Sequence, residues 1–436
     1  MTLIGKCRRL LDSKTDFSFL SICGSGENME ARVEEEVLPL SLSFRLFATS
    51  KFFIAVGGGL FSVFFPWMVL SITGSSLFTG IAEGLISIPL LLSFFTGTFV
   101  DRTVAKKAVF LMGVVGLAAA GAILIISIES KLYLLFSVSI LAAAFLYGLS
   151  DDVQDTSASF FDKSLLRGNQ IKKGSAVRRA IASSAILIGY LLSAYFIYIG
   201  FLSAIFALIL LFLLSGAVFL PVHYELQVKQ SKSIRFYHSM KEGFAELLSN
   251  TFLKELVILA IFANFFFGMI SVGFAVLVRL YFHLPVLYYS IVLISLQLGA
   301  IGGSIVSGRL KRLSGAFLIL SLLLWGILFS LIAIVSLFKY YDPIPITIFF
   351  IGFISGINNV ALNVMMLKRT SQEKIGRIFG SLKTALVGVT FASGATVGAL
   401  MSFISPPIVI LLMGSGMLIL AAVALLGFEN VRKTSI

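Results

Sequence analysis

Residues 93–107 read SFFTGTFVDRTVAKK, in which Gly97 precedes the pair Asp101-Arg102 and two lysines follow. Long apolar segments flank this short charged join on both sides. Residues 304–312 read SIVSGRLKR, a weaker copy of the same pattern almost half the chain later. A repeat at this interval predicts two similar halves, each with the same charged join between two apolar segments.

The composition indicates a membrane protein. Hydrophobic residues make up 58% of the 436 residues and charged residues 13%, against roughly 45–50% and 25% in globular proteins. These values exclude a soluble enzyme and a disordered chain, and only two cysteines, Cys7 and Cys23, exclude a disulfide scaffold. Lipid-facing backbone must satisfy its own polar groups, so the chain is expected to be an all-α membrane protein.

Twelve apolar segments are long enough to cross a bilayer, which takes about 20 residues of helix. They cover approximately 46–72, 76–100, 107–128, 132–153, 178–198, 199–220, 254–277, 284–307, 315–338, 344–366, 379–402 and 406–428. We therefore predict 12 transmembrane helices in two six-helix halves, in a multi-pass protein of the cell membrane whose first partner is the lipid bilayer.

The basic residues sort to one side of the predicted bilayer. Of 34 Lys and Arg residues, only Lys131, Arg279 and Lys339 fall on the opposite side. The positive-inside rule then predicts that the N- and C-termini are cytoplasmic. The net charge of +13 therefore reflects topology, and nucleic acid is not an expected partner.

The polar stretches outside the halves divide the chain further. The predicted parts are a disordered cytoplasmic N-terminal extension (1–43), an N-terminal half (44–220), a cytoplasmic connector (221–253), a C-terminal half (254–428) and a cytoplasmic tail (429–436). Apolar residues at helical spacing from Ser233 to Leu248 predict an amphipathic helix at the headgroups. A solvated linker helix is the alternative. The N-terminus lacks a signal peptide, so the first span is expected to act as an uncleaved anchor, and Met29 is an alternative start.

The motif after the second span resembles that of the major facilitator superfamily. The matching residues are Gly97, Asp101 and Arg102, followed by Lys106, and Gly376-Arg377 opens the eleventh span in a similar way. The resemblance covers about 44–428 and is closest to the branch of the enterobactin exporter and multidrug efflux proteins. It implies a monomeric secondary transporter that exports small amphipathic drug- or siderophore-like compounds by alternating access, with protons as a possible second substrate of an antiporter.

The resemblance also implies a gating role for the motif. In the family the aspartate is thought to latch the two halves together, which assigns the latch to Asp101, its partner to Arg102 and close helix approach to Gly97. A carboxylate near a helix N-terminus is favoured by the helix dipole. The predicted gating set is completed by Lys106, Arg309, Gly376 and Arg377. The alternative is a loop charge that only sets topology.

Glu83 is the carboxyl residue predicted to lie within a span. It falls in the second span between Gly80 and Gly84. A charge near the bilayer centre costs at least about 2.5 kcal/mol, and burial favours the protonated carboxyl. Glu83 is therefore the proton-coupling candidate, with a structural hydrogen bond to a neighbouring helix as the alternative.

Asp151, Asp152 and Asp155 cluster at the predicted end of the fourth span, ahead of Arg178 and Arg179 at the fifth. They could bind a substrate cation or pair with the two arginines. Because the span has used about 20 residues by Asp151, ion pairs at the interface are the preferred interpretation.

Uncharged polar residues and one lysine also fall in or near the spans. The amides of Asn264, Gln297, Asn358, Asn359 and Asn363 are candidates for the substrate cavity, with contacts between helices as the alternative. Lys51 is expected to reach the cytoplasmic headgroups.

Some features leave the function open. Many relatives carry an acidic residue in the first span where this chain has Gly57-Gly58-Gly59, so the coupling ion is not fixed. The glycines are expected to let this span pack closely or bend. No phosphate-binding loop, His-Glu-x-x-His or paired-cysteine motif occurs, so neither enzyme activity nor a cofactor is predicted. The alternatives are a metal-ion exporter similar to ferroportin, using the aspartate cluster, and a transporter-like sensor that transports nothing.

Overall fold

A computed structural model describes residues 41–91, 93–130, 132–166, 170–224, 245, 247–310, 314–369 and 375–434. The predicted N-terminal extension and most of the amphipathic connector lie outside these residues. The first half contains α1 (Leu42–Thr73), α2 (Ser76–Leu91), α3 (Ser93–Arg102), α4 (Lys106–Glu129), α5 (Tyr133–Ser164), α6 (Gln170–Ile199) and α7 (Phe201–Phe219). The second contains α8 (Thr251–Phe267), α9 (Met269–Val276), a π-helical turn (Leu277–Tyr281), α10 (Val286–Ser307), α11 (Gly315–Leu337), α12 (Ile344–Arg369), α13 (Ile375–Phe403), α14 (Pro406–Gly427) and α15 (Glu429–Lys433).

The helices confirm the predicted spans. Eleven stretches among the described residues are long and apolar enough to cross a membrane. The second span is formed by α2 and α3 in succession, and α2 alone is a shorter apolar helix. The helices of the fourth and fifth spans are longer than the predicted apolar segments, because α5 continues to Ser164 and α6 begins at Gln170. Polar residues do not stop a helix that leaves the bilayer, so hydropathy alone underestimates its length.

The segregation of Lys and Arg predicted from the sequence places most of them at the end of the bundle where α1 begins. We call the end at which α1 begins the basic end. There the Lys107 ammonium donates to the carbonyls of Leu220 and Val222, which joins the start of α4 to the end of α7. At the opposite end, Lys339 after α11 donates to the Tyr281 carbonyl at 2.9 Å. A lysine bound to the last carbonyls of a helix satisfies groups that have no partner within the helix.

The glycine run of α1 packs closely against neighbouring helices, as expected. A Cβ on Gly57 would lie 2.6 Å from the Phe212 ring of α7, and one on Gly59 would lie 2.5 Å from the Ile186 carbonyl oxygen of α6. Gly58 lies between these contacts and lines a cavity instead. The run therefore lets α1 fill the space between α6 and α7 while one of its faces stays open.

The two halves meet along α2 with α13 and along α6 with α10. On α2, a Cβ on Gly80 would lie 2.4 Å from the Gly394 carbonyl oxygen and 3.0 Å from the Gly398 Cα atom. The Ser76 hydroxyl donates to the Gly398 carbonyl at 3.0 Å. This backbone-to-backbone contact brings the halves together at the opposite end.

The seventh span is interrupted and reaches across to the first half. It is divided at Gly268 into α8 and α9, and the π-helical turn follows. The segment α9 contacts α1 and α2, whereas α8 packs against α13, α14 and α15 of its own half. Among the described residues, the main contact of this span with the other half is therefore made by the part near the opposite end.

The tail after the last span is docked on the second half. Glu255 of α8 is 8% exposed, and its carboxylate accepts hydrogen bonds from the Asn430 amide at 2.7 Å and the Val431 backbone N–H at 3.0 Å. The Gly315 N–H donates to the Thr434 carbonyl at 2.8 Å. These contacts tie α15 to the starts of α8 and α11.

We predict that Glu255→Ala releases this tail. The substitution removes the partner of the Asn430 amide and leaves the buried Val431 N–H without an acceptor. An unsatisfied buried donor costs about 1–3 kcal/mol. Thermal unfolding should occur at lower temperature, and trypsin should cleave faster at Arg432 and Lys433. Glu429→Ala is the control, because its ion pair with Lys433 is exposed and worth little. Equal effects of the two substitutions would contradict the docked tail.

Candidate functional site

A central cavity of about 270 Å³ lies between the two halves. Six spans contribute to its wall. Its lining consists of Phe61 and Ser62 of α1, Glu83 and Ile86 of α2, Tyr147 of α5, Tyr190 of α6, Ile270 and Ser271 of α9, and Leu293 of α10. The cavity thus combines aromatic surface with one carboxyl group, which can bind an amphipathic organic molecule.

Glu83 connects the halves within this cavity. Its carboxyl lies beside the Ser271 side chain of α9, and both side chains line the cavity. The Ser271 backbone carbonyl accepts a hydrogen bond from the Tyr289 hydroxyl at 3.0 Å. Both interpretations of Glu83, as coupling residue and as structural hydrogen-bond partner, are compatible with this geometry.

An aromatic cluster closes the central cavity towards the opposite end. Trp67 of α1 stacks on Tyr289 of α10, with ring centroids 5.9 Å apart and planes 18° from parallel. The Arg279 guanidinium of the π-helical turn lies 5.6 Å from the centre of the Trp67 ring, a cation–π contact. Because Trp67 and Arg279 come from different halves, this closure must open if the halves separate there.

A second cavity of about 400 Å³, the basic-end cavity, lies within the first half between α1, α5 and α6. It shares Ser62, Tyr147 and Tyr190 with the central cavity, so the two are adjoining parts of one space. Its charged lining residues are Lys51, Asp151, Asp155 and Arg178. Sequence analysis passed over the two tyrosines, although a tyrosine inside an apolar span needs a partner for its hydroxyl.

The prediction that Lys51 reaches the cytoplasmic headgroups is wrong. The lysine is 8% exposed and lines the basic-end cavity. Its ammonium lies 3.2 Å from the Gln154 Oε1 atom and 3.2 Å from the Asp155 Oδ1 atom. Because an oppositely charged side chain on α5 lies within reach, the lysine is stabilised inside the bundle.

The predicted aspartate cluster is divided among different partners. Asp152 is 1% exposed and accepts a hydrogen bond from the Thr96 hydroxyl of α3, whereas Asp155 pairs with Lys51 and Asp151 lines the basic-end cavity. Arg178 binds Asp162 at 2.8 Å. Sequence analysis missed that partner because α5 continues beyond the predicted span. Arg179 is exposed. No group of three His, Cys, Asp or Glu residues that could hold a metal ion occurs in the described part of the chain.

The structure shows the surroundings of part of the gating motif. Lys106 caps α3 by donating to the Val100 carbonyl, and its ammonium lies 5.5 Å from the centre of the Phe160 ring. Outside its own helix, no heavy atom of the described residues lies within 4 Å of a Cβ built on Gly97, so it makes no close contact with another described helix in this conformation. Arg309 follows α10 and is exposed. For Asp101, Arg102, Gly376 and Arg377 only the backbone is described, so the latch stays a prediction.

The five predicted cavity amides do not line either cavity. The Asn264 amide donates to the Ala260 carbonyl of its own helix at 2.9 Å, and the Asn363 amide donates to the Asn359 carbonyl at 2.7 Å. Gln297 is partly buried, and the Asn358 Oδ1 atom is buried without a hydrogen-bond partner among the described residues. Their role in substrate binding stays a prediction.

Two helical halves around a shared cavity, closed at one end by contacts between the halves, define the architecture of a secondary transporter. The sequence agrees with this class. Residues 47–388 match the family model of the Major Facilitator Superfamily, and the chain belongs to that family.

Solved structures of other transporters have the same fold. A proton-dependent oligopeptide transporter is 12% identical with a TM-score of 0.70, covering 90% of this chain and 99% of that one. The nucleoside transporter NupG is 14% identical with a TM-score of 0.71, covering 89% and 100%. The human organic anion transporter MFSD10 is 14% identical with a TM-score of 0.60, covering 88% and 99%. Among curated protein sequences, none is significantly similar to this chain.

Proposed function

We propose that this protein exports small amphipathic organic compounds from the cytoplasm by alternating access, with proton movement coupled through Glu83. The observation that carries the proposal is the continuous space formed by the two cavities, which contains Glu83 and is closed at the opposite end by Trp67, Tyr289 and Arg279. The positive-inside rule assigns the basic end to the cytoplasm. The structure then corresponds to a state that receives substrate from the cytoplasmic side.

The lining of the space supports an amphipathic substrate. Phe61, Tyr147 and Tyr190 offer aromatic surface, and the Phe61 and Tyr147 rings are stacked with centroids 3.6 Å apart. Lys51, Asp151, Asp155 and Arg178 lie towards the basic end, whereas the central cavity is lined mainly by aromatic and aliphatic side chains around Glu83. The export direction is supported by the resemblance to efflux transporters.

Coupling through Glu83 follows from its position between the halves. In this conformation its carboxyl contacts Ser271 on α9. When the halves separate at the opposite end, that contact is lost and the carboxyl is exposed to the other side of the membrane. A group that faces each side in turn can take up a proton on one side and release it on the other, provided that its charge changes during the cycle.

Purified protein in liposomes containing a pH-sensitive dye tests the proposal. We would add aromatic organic acids, lipophilic amines, uncharged drugs, siderophores and ferrous iron separately. Proton movement with an organic compound, absent from protein-free liposomes, is the expected result. Movement with iron alone would favour the metal exporter instead, and no response to any compound would favour a sensor that transports nothing.

A further inference from the structure

The ion pair between Lys51 and Asp155 is asymmetric in its exposure to water. The Lys51 side chain is 10% exposed and is held in the cavity wall, whereas the Asp155 side chain is 59% exposed. A buried ammonium requires an anionic partner, because a buried charge without a counter-ion is strongly unfavourable. Asp155 is the water-exposed member of the pair. The lysine is therefore a fixed cation, and its present counter-ion can be replaced by another anion.

A second donor lies beside Lys51. Gln154 is fully buried and lines the same cavity, and its Oε1 atom accepts the hydrogen bond from Lys51. Its Nε2 atom is buried and has no hydrogen-bond partner among the described residues. An unsatisfied buried donor is unfavourable. A ligand oxygen that reaches both Lys51 and Gln154 would satisfy it.

The other charges of the basic-end cavity restrict the ligand. Arg178 is already neutralised by Asp162 at 2.8 Å. Asp151 lies one helical turn before Asp155 and faces the same cavity, so it repels a second anionic group. Beyond Asp151 the wall includes Tyr147 and Tyr190, which also line the central cavity. The cavity therefore fits a molecule with one anionic end and an apolar or aromatic remainder.

We propose that Lys51 and Gln154 form an anion site at which the carboxylate of an amphipathic organic acid displaces Asp155. The ligand is taken to be the transported substrate, so its role in transport rests on the proposed function. Whether an organic acid binds at the site does not depend on that function. The acid would place its carboxylate between Lys51 and Gln154 and its ring against Tyr147 and Tyr190.

Chemical rescue of an Asp155→Ala variant tests the site. The variant leaves Lys51 without its resident carboxylate, and a ligand that binds only the folded protein raises its unfolding temperature. Millimolar sodium benzoate should therefore raise the unfolding temperature of Asp155→Ala more than that of the wild-type protein. Benzamide, which has the same shape without the charge, should not raise the unfolding temperature of either protein. Sodium chloride at equal ionic strength should not reproduce the effect of benzoate.

The double variant Lys51→Met/Asp155→Ala is the matched control, and benzoate should not stabilise it beyond the salt effect. Equal rescue by benzamide, equal rescue of the double variant, or no rescue of Asp155→Ala would each overturn the proposal. Asp155→Asn, which keeps the side-chain volume, allows the same comparison if the alanine variant expresses poorly. If benzoate stabilises Asp155→Ala but no compound is transported in liposomes, the anion site is supported and the proposed function is rejected. The two proposals can therefore fail separately.

Discussion

Glu83→Gln should reduce proton-coupled transport to the level of protein-free liposomes. Glutamine has nearly the same shape and can keep the contact with Ser271 across the interface between the halves. It cannot gain or lose a proton under these conditions. Substrate-driven proton movement should therefore stop, whereas folding and substrate binding should persist. The measurement is the dye response in liposomes, with binding measured in detergent for the same variant.

The same substitution on an exposed carboxyl serves as the control. Glu129 ends α4 at the opposite end of the bundle and is exposed. Glu129→Gln should transport at the wild-type rate. If Glu83→Gln also transports normally and only Glu83→Leu fails, Glu83 is a structural hydrogen-bond partner and the coupling role is refuted.

Gly80→Ala should shift the protein away from the conformation that is closed at the opposite end. The added methyl group would lie 2.4 Å from the Gly394 carbonyl oxygen and 3.0 Å from the Gly398 Cα atom. Both neighbours are backbone atoms, so no side chain can move aside and α2 must separate from α13. Overpacking of this kind costs about 1–3 kcal/mol, which changes the ratio of two conformations by roughly 5- to 150-fold.

Spin labels on α2 and α13 measure this shift. Leu77 and Ser402 are exposed near the opposite end, and labels at cysteines introduced there report the separation of the helices after Cys7 and Cys23 are replaced. Gly80→Ala should increase the population with the longer distance and slow transport. Gly302→Ala is the control, because its Cβ would lie 3.6 Å from Phe353, an ordinary contact. An unchanged distance distribution in Gly80→Ala would show that the contact does not hold the halves together.

Features that depend on nearby sequence were predicted well. The apolar segments and the segregation of basic residues predicted twelve spans, because each span is decided by about 20 consecutive residues. Glu83 was predicted to couple proton movement because a carboxyl residue is rare in an apolar helix, and the structure places it in the wall of the central cavity. These inferences needed no knowledge of which helices are neighbours.

Contacts between distant residues could not be predicted. Lys51 was assigned to the headgroups because its partner lies 104 residues later, on a helix whose proximity to α1 is not visible in the sequence. The docking of the tail on Glu255 joins residues 175 positions apart. The partner of Arg178 was missed for a different reason, since hydropathy ended the fourth span before Asp162.

The distance in sequence between Lys51 and Asp155 also has a consequence for synthesis. At roughly 5–20 residues per second, the ribosome makes Asp155 about 5–20 s after Lys51. During that time an unpaired lysine in a newly inserted helix is most stable with its ammonium at the lipid headgroups. Lys51 thus helps to orient the first span while the chain is being made. When α5 arrives, the same ammonium moves from the lipid surface to the protein interior, so a signal for membrane insertion becomes part of the finished cavity.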